Sequence, residues 1–331
     1  MKELIENFAQ QLRQAMQAGE SETVNLAGPR YSNVVMAGMG GSGICGNLAK
    51  TYVANKLTVP VLVQKCHSLP AFVGSKSLVI ATSFSGNTEE TLSMVRQAME
   101  AEATVSFVSS GGEMLRIAQA NNVPHLTLPA DAGPPRACMG FMLVQQLYLL
   151  HYAGLLDDAF KTELRQSIDL LEEQAGSIKV QASALASSLH ARLPILYADE
   201  TFMPVAMRFQ QQLNTNAKQL AHVNALPELC HNEVETWQNP SELNERLAVL
   251  YIKTGYDHPR SRLRMELVRE ALERKGQQVL EVEAIGATML EQMFYLVHLF
   301  DWVSLYLAGL NKVDPGDTET INHLKRELSK V

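Results

Sequence analysis

The 331-residue sequence has few cysteines, and its four, Cys45, Cys66, Cys138 and Cys230, lie far apart. This spacing excludes the closely paired cysteines of structural zinc sites and dithiol redox motifs. It provides no disulfide framework, and sparse cysteine is typical of the reducing cytosol. We therefore predict a cytoplasmic protein without a disulfide framework.

Long apolar runs and an excess of positive charge are also missing. The most apolar stretch, Met289 to Leu310, is interrupted by Glu291 and Asp301 among others, so it falls short of the roughly 18 uninterrupted apolar residues of a membrane span. We predict that it forms a buried helix. The N-terminal segment, MKELIENFAQQLRQAMQAGE, lacks the apolar core of a signal peptide and favours an amphipathic helix. The net charge is -7 with scattered lysine and arginine, which argues against nucleic-acid and membrane partners. We expect a small-molecule substrate.

Apolar runs of strand length alternate with helical segments, first in one half of the chain and again in the other. Continuous apolar runs such as SLVIATS are typical of parallel strands buried on both faces, with helices on each side. We predict an α/β protein with two doubly wound, flavodoxin-like parallel-sheet domains in tandem. The predicted parts are an N-terminal helix (1–28), a first domain (29–155), a helical bridge (156–190) and a second domain with a C-terminal helix (191–331).

A glycine-rich loop, GMGGSG, follows the first predicted strand. Gly38, Gly40 and Gly43 match the GxGxxG fingerprint of dinucleotide-binding folds, but this motif alone is weak. The fingerprint also requires an acidic residue at the end of the second strand, and that strand ends in VLVQKCHS, without an acid. Lys65 in this stretch suits a 2′-phosphate, so an NADP site is the alternative interpretation.

A second loop, TSFSGNTEET, follows the third predicted strand, and each of the two loops opens a helix. The free N–H groups and the positive dipole end of a helix N-terminus attract an anion. In a doubly wound parallel sheet both loops lie at the carboxyl ends of their strands and can converge. The hydroxyl donors for one phosphoryl group are then Ser42, Ser83, Ser85 and Thr88. Alternatively, Asn87 and Thr88 only cap a helix, with Glu90 completing the cap, and the serines only satisfy local backbone groups.

The second half of the chain keeps the strand framework and lacks both loops. Where the first half has VVMAGMGGSGI, the second has PILYADETFMP. Where the first half has LVIATSFSGNTEETL, the second has AVLYIKTGYDHPRSRL. We predict one phosphate site per chain, with the second half contributing other groups.

The two loops resemble those of sugar isomerase (SIS) domains, whose serine and threonine side chains bind phosphosugars. Three further stretches, GPPRACMGFML, QLNTNAKQLAHVNALPELCHNE and LNKVDPGDTETINHLKREL, and the tandem arrangement narrow the resemblance to the bifunctional phosphoglucose/phosphomannose isomerase family. The resemblance covers nearly the whole chain. It implies a homodimer that interconverts fructose 6-phosphate with glucose 6-phosphate or mannose 6-phosphate through an enediolate, without a metal or redox cofactor.

The resemblance also implies roles for individual residues. The matched phosphate-binding positions are Gly40, Gly41, Ser42, Ser83, Ser85 and Thr88. Arg136 matches the arginine that stabilises the enediolate, which suits a permanently charged guanidinium; the alternative is an interdomain salt bridge. His231 matches the ring-opening histidine that the neighbouring subunit contributes, and Lys325 matches a lysine on the C-terminal helix that reaches the site. The alternatives are a structural histidine and an exposed helix lysine.

The sequence departs from the family at Thr215. The family motif Asn-Glu-Asn is NTN in this chain, and that glutamate moves the proton between C1 and C2 in the family. A threonine has no carboxylate to accept this proton, and loss of a general base typically removes about 10²- to 10⁴-fold of rate. Three explanations stay open: another carboxylate acts instead, the protein binds phosphosugars without isomerising them, or the residue was altered for study. The candidate carboxylates are Glu228, Glu233 and Glu235.

Overall fold

The computed structural model describes residues 1–26, 30–328 and 330. In the first half of the chain the helices are α1 (Lys2–Glu6), α2 (Phe8–Ser21), α3 (Gly40–Val53), α4 (Glu89–Glu100), α5 (Gly112–Asn121), α6 (Met139–Tyr152) and α7 (Ala159–Glu173). In the second half they are α8 (Ala175–Leu189), α9 (Met203–Gln212), α10 (Pro259–Arg274), α11 (Met289–Leu310) and α12 (Glu319–Leu328). The strands are β1 (Asn33–Ala37), β2 (Val61–Gln64), β3 (Ser77–Ser83), β4 (Thr104–Ser109), β5 (His125–Thr127), β6 (Leu193–Asp199), β7 (His222–Leu226), β8 (Leu247–Lys253) and β9 (Val279–Glu283).

The first compact unit, which we call the N-terminal unit, comprises Glu6–Glu172 and Thr288–Glu291. Its sheet is parallel throughout, in the order β2-β1-β3-β4-β5. All residues of β3 are buried, as expected for a central strand covered on both faces. This is the flavodoxin-like order, and it confirms the predicted doubly wound domain.

The start of α6 is held in place by α2. The side-chain amide of Gln11 donates to the carbonyl oxygen of Ala137 at 2.9 Å and accepts from the N–H of Gly140 at 2.7 Å. These two bonds satisfy backbone groups at the start of α6, for which the helix itself provides no partner. The segment just before α6 is therefore fixed within the N-terminal unit.

The second compact unit, the C-terminal unit, comprises Met1–Ile5, Glu173–Ala287 and Gln292–Val331. Its parallel sheet has the order β7-β6-β8-β9, which repeats the order of the first four strands of the N-terminal sheet. The predicted tandem repeat is confirmed. Strand β7 was not predicted, because it is short and only two of its residues are buried, which leaves a weak apolar signal.

A buried ion pair joins α9 to α11 in the C-terminal unit. The guanidinium of Arg208 lies 3.1 Å from the carboxylate of Asp301, and their side chains are only 3% and 8% exposed. Gln212 donates to the other carboxylate oxygen of Asp301 at 2.7 Å. Burial raises the pKa of Asp301, while Arg208 and Gln212 oppose that shift. Arg208 is thus the counter-ion of the buried Asp301 carboxylate inside the unit.

Helix α11 matches the apolar stretch that the sequence assigns to a buried helix. Among the described residues it is the one helix long and apolar enough to cross a membrane by length and composition, and 78% of its most apolar 18-residue window is buried in the protein. Core helices pass the same test. The prediction of a buried helix is confirmed.

The predicted domain boundaries and the two compact units meet in the helical region that lies between the two sheets along the chain. The boundary between residues 28 and 29 lies outside the described residues. The N-terminal helical segment consists of α1 and α2 and ends at Ser21. The units divide between Glu172 and Glu173, at the end of α7 and within the predicted bridge of residues 156–190.

Candidate functional site

The glycine-rich loop connects β1 directly to α3. Helix α3 begins at Gly40, within the glycine-rich loop motif itself. Gly40 has φ +50, in the left-handed region that favours glycine. A methyl group added at Gly38 would lie 2.8 Å from the carbonyl oxygen of Thr82 on β3, and one added at Gly43 would lie 2.5 Å from that of Gly38. The glycines therefore let the first turn of α3 pack closely against the sheet.

The second loop connects β3 to α4 and is closed by a hydroxyl pair. The side chain of Ser83 lies 2.8 Å from the Thr88 hydroxyl. The N–H of Gly86 donates to the carbonyl oxygen of Ser83 at 3.0 Å, and a methyl group added at Gly86 would lie 1.8 Å from the carbonyl oxygen of Gly111. Ser85 at the tip of this turn is exposed. The turn thus combines a tightly packed backbone with the Ser83–Thr88 hydroxyl pair and the exposed side chain of Ser85.

The capping interpretation of this loop is wrong for α4. Thr88 occupies the N-cap position, but its side chain makes no capping hydrogen bond, because its hydroxyl pairs with Ser83. Asn87 accepts from the N–H of Glu113 at 2.9 Å and so supports the start of α5 instead. Capping of α4 therefore does not explain the threonine, but the serines do satisfy local backbone groups: Ser83 accepts from the N–H of Gly86 at 3.2 Å and Ser85 from that of Asn87 at 3.3 Å.

The two loops leave the same edge of the sheet side by side. Strands β1 and β3 are parallel neighbours, with Ala37 opposite Ala81. The chain winds to one side after β1 and to the other side after β3, and such a switch point is where open α/β sheets bind ligands. The predicted placement of both loops at the tips of adjacent parallel strands is confirmed.

Arg136 lies on a short 3-10 turn, Pro135–Ala137, immediately before α6. Helix α6 itself begins at Met139. A methyl group added at Gly41 would lie 3.1 Å from the carbonyl oxygen of Pro135 and 3.6 Å from the backbone nitrogen of Arg136. The structure thus brings the backbone of Arg136 against the first turn of α3.

The corresponding strand tips of the C-terminal unit carry carboxylates. Asp199 at the end of β6 accepts from the N–H of Thr201 at 3.0 Å. After β8, Asp257 accepts from the N–H of Thr254 at 2.8 Å and from its hydroxyl at 2.6 Å. Both aspartates are buried; burial raises the pKa of Asp257 and the charge of Asp199 adds to that shift. At these two strand tips, carboxylates of the chain itself accept hydrogen bonds from the backbone amides.

Thr215 lies on a single π-helical turn, Leu213–Ala217, at the end of α9. Its hydroxyl donates to the carbonyl oxygen of Gln211 at 2.7 Å. The ammonium group of Lys218 donates to the carbonyl oxygens of Thr215 and of Asp317, each at 2.6 Å. The turn that carries Thr215 is therefore attached to the segment that leads into α12.

His231 and Lys325 are both exposed on the C-terminal unit. His231 ends a short 3-10 helix, Glu228–His231, and Lys325 lies on α12. Within residues 1–26, 30–328 and 330, neither side chain makes a hydrogen bond or ion pair. The structure therefore does not bond either of them to Thr215, and their catalytic roles stay predictions.

The three candidate carboxylates differ sharply in their surroundings. Glu233 accepts from the Tyr197 hydroxyl at 2.6 Å, from His222 at 2.9 Å and from Asn224. Burial opposes its charge, but the hydrogen bonds from His222, Tyr197 and Asn224 outweigh burial and lower the pKa of Glu233 to about 2. Such a carboxylate is a weak base. These three partners were not found from the sequence, because their spacing forms no recognisable motif.

Glu228 and Glu235 lie on two successive 3-10 helices and are exposed. Glu228 accepts a single hydrogen bond from the side-chain amide of Asn232, at 3.0 Å. Among the described residues there is no group of three or more His, Cys, Asp and Glu side chains that could hold a metal ion. Of the three candidate carboxylates, Glu228 shares the 3-10 helix with His231.

Comparison with known proteins gives full-length relatives. The chain is 33% identical over 338 residues to the bifunctional phosphoglucose/phosphomannose isomerase of Caldicellulosiruptor bescii, covering 100% of this chain and 99% of that protein. It is 35% identical over 301 residues to the protein of the same name from Aquifex aeolicus, covering 91% of each. The chain belongs to the bifunctional phosphoglucose/phosphomannose isomerase family.

Two further comparisons concern the C-terminal half of the chain and the fold. Residues 178–328 match the family model described as bacterial phospho-glucose isomerase C-terminal SIS domain, a range that includes Thr215, His231 and Lys325. The crystal structure of a hypothetical protein from Thermus thermophilus shares the fold, with a TM-score of 0.75 and 16% identity over 98% of this chain and 89% of that chain. The SIS-type tandem fold is thus shown by sequence and by structure.

Proposed function

We propose that this protein is a sugar-phosphate isomerase that interconverts fructose 6-phosphate with glucose 6-phosphate or mannose 6-phosphate. The observation that carries the proposal is the pair of loops at the tips of β1 and β3, with the Ser83–Thr88 hydroxyl pair in one and Gly40 at the start of α3 in the other. Amides at a helix N-terminus and hydroxyl groups together suit a phosphate group. Pro135, the residue before Arg136, packs against the first turn of α3.

The proposed reaction begins with ring opening by His231, since an imidazole both gives and takes a proton near neutrality. A base then removes the proton from C2 of the open-chain aldose. The electrons of that C–H bond form the C1–C2 double bond, and the π electrons of the C1 carbonyl move onto O1, which gives the enediolate. Arg136 stabilises the negative charge. The hydroxyl proton passes from O2 to O1, and return of the carbon-bound proton to C1 then gives the ketose. The reverse sequence gives either aldose epimer at C2.

This chain differs from the family scheme in its proton-transfer base, because Thr215 stands where the family has a glutamate. The Thr215 hydroxyl donates to the carbonyl oxygen of Gln211. Glu233 is unsuited to the role, since hydrogen bonds from three side chains stabilise its charged form. Glu228 has one hydrogen-bond partner and lies on the same short helix as His231. We assign the base to Glu228 in this proposal.

The test is incubation of the purified protein with fructose 6-phosphate and separate detection of glucose 6-phosphate and mannose 6-phosphate. We expect turnover by the wild type, loss of about 10²- to 10⁴-fold in Glu228→Gln, and little change in the matched control Glu235→Gln. Thr215→Glu restores the family carboxylate and is expected to raise kcat, whereas Thr215→Gln is not. A wild type without product, rescued by Thr215→Glu, would overturn the assignment of activity.

Thr215 favours a second candidate function, in which the chain binds phosphosugars without isomerising them. This candidate predicts that fructose 6-phosphate raises the melting temperature while its carbon-bound protons do not exchange with solvent. Proton NMR of the sugar phosphate in deuterium oxide, with and without the protein, separates the two. Exchange at a catalytic rate supports the isomerase and excludes the binder.

A homodimer is proposed as well, because the family site takes a histidine from the neighbouring subunit. Helix α12 supports it: Ile321, Leu324 and Leu328 are spaced along one face and are 42%, 57% and 64% exposed. Light scattering after gel filtration is expected to give twice the chain mass, and Leu324→Glu to reduce it. We further propose that the protein is cytoplasmic, where its cysteines stay reduced.

A further inference from the structure

Lys65 lies beside the glycine-rich loop and follows the last residue of β2. The N–H of Gly38 donates to the carbonyl oxygen of Gln64 at 3.2 Å, so Lys65 is level with the start of the loop. A methyl group added at Gly43, in the first turn of α3, would lie 3.3 Å from Cδ of Lys65. The aliphatic part of the lysine thus passes over this turn, and the ammonium group follows only two bonds further along.

The ammonium group of Lys65 has no protein partner in the part of the chain that the structure describes. The residue is half-buried, and burial lowers its pKa. Lys253, at the end of β8, shows the structural alternative, because it bonds Glu266 and Glu281 at 2.8 Å each and its pKa is raised. A lysine stem usually lies on apolar surface while its charge is solvated or paired. Lys65 is held near an anion site without an anion from the chain.

The phosphate-binding positions themselves carry no formal positive charge. They are glycines, serines and a threonine, namely Gly40, Gly41, Ser42, Ser83, Ser85 and Thr88. A phosphate monoester carries about −1.5 to −2 charge near pH 7. A charged donor forms a hydrogen bond to phosphate that is about twice as strong as a neutral one.

We infer that Lys65 binds the phosphate group of the sugar phosphate and selects phosphorylated over neutral sugars. The inference rests on the proposed function for the identity of the ligand. Lys65 reaches the phosphate from the β2 side of the first turn of α3, while the Ser83–Thr88 pair approaches from β3. The phosphate is then held by donors from both neighbours of β1.

The test compares wild type, Lys65→Met, Lys65→Arg and the charge-matched control Lys50→Met, which removes an exposed lysine from the last turn of α3. Calorimetric titrations with fructose 6-phosphate and with inorganic phosphate give Kd for each. We expect Lys65→Met to weaken both ligands about tenfold, as loss of one charge-assisted hydrogen bond predicts. Lys65→Arg and Lys50→Met are expected to stay close to the wild type.

Thermal unfolding without ligand separates recognition from folding. Because Lys65→Met removes a half-buried cation without a carboxylate partner, the melting temperature without ligand should rise or stay level while ligand affinity falls. Unchanged affinity of Lys65→Met, or equal weakening by Lys50→Met, would overturn the inference. Binding of NADPH that depends on Lys65, without binding of phosphate, would also overturn it and favour the dinucleotide. A wild type that binds fructose 6-phosphate without turning it over contradicts the isomerase but leaves this test intact.

Discussion

The Tyr197 hydroxyl donates a 2.6 Å hydrogen bond to the carboxylate of Glu233. Glu233 comes from the 3-10 helix after His231 and Tyr197 from the middle of β6, so this bond fixes the loop against the face of the sheet. His222 and Asn224 on β7 complete the set of donors. Glu233 is therefore a negatively charged anchor for the segment that presents His231.

The His222–Glu233 pair predicts a stability that depends on pH. Glu233 stabilises the fold fully above its unfolded pKa of 4.5, and this contribution is lost as the pH falls towards about 2. The pKa of His222 is raised from 6.5, so its contribution is full below that value and is lost as the pH rises through its higher folded value. The melting temperature of wild type relative to Glu233→Gln should be highest between about pH 4.5 and 6.5. A difference that does not vary with pH would contradict this.

The buried Arg208–Asp301 pair predicts a large loss of stability in Asp301→Asn. Removing one partner of a buried ion pair leaves the other charge without its counter-ion and typically costs 3–5 kcal/mol, here about 4 kcal/mol. Denaturant unfolding measures the change. Asp169→Asn, an exposed position on α7, is the control and should cost little. A cost for Asp301→Asn equal to that of the control would show that the pair contributes nothing.

The hydroxyl pair of the second loop predicts weaker binding in Ser83→Ala. Its loss removes a hydrogen-bond donor from the proposed phosphate site and the partner of Thr88. We expect the affinity for fructose 6-phosphate to fall about tenfold, equivalent to about 1.4 kcal/mol. Calorimetry measures it. Ser188→Ala removes an exposed hydroxyl that bonds only its own helix, and both variants binding alike would contradict the role of Ser83.

Arg136→Lys tests stabilisation of the enediolate. Lysine keeps the charge but loses the planar, fixed donor set of the guanidinium. Loss of one donor to an oxyanion typically costs about 10²- to 10³-fold in kcat, so we expect a loss in that range with a smaller change in KM. Steady-state kinetics gives kcat and KM for Arg136→Lys and for the control Arg116→Lys, which changes an exposed arginine on α5. A rise in KM alone would assign Arg136 to substrate binding.

The sheets and the two loops were predictable because their signals are local. The apolar run of β3 and the glycines before α3 each dictate a structure within a few residues. The surroundings of the loops were not predictable, because they depend on contacts distant in sequence. Asn87 supports α5 rather than α4, and the hydrogen bonds that lower the pKa of Glu233 come from β6 and β7. Such contacts leave no periodic pattern in the chain.

The carboxylates of Asp199 and Asp257 make the two sheets unequal in their response to phosphate. In the C-terminal unit these side chains already accept from backbone donors at the strand tips. An added phosphate would have to displace them to bind there. In the N-terminal unit the corresponding tips carry GMGGSG and SFSGNT, without a carboxylate, and the proposed phosphate binds there. Saturating ligand should therefore slow amide exchange around β1 and β3 and leave the tips of β6 and β8 unchanged, so that metabolite supply governs the rigidity of only one of the two repeats.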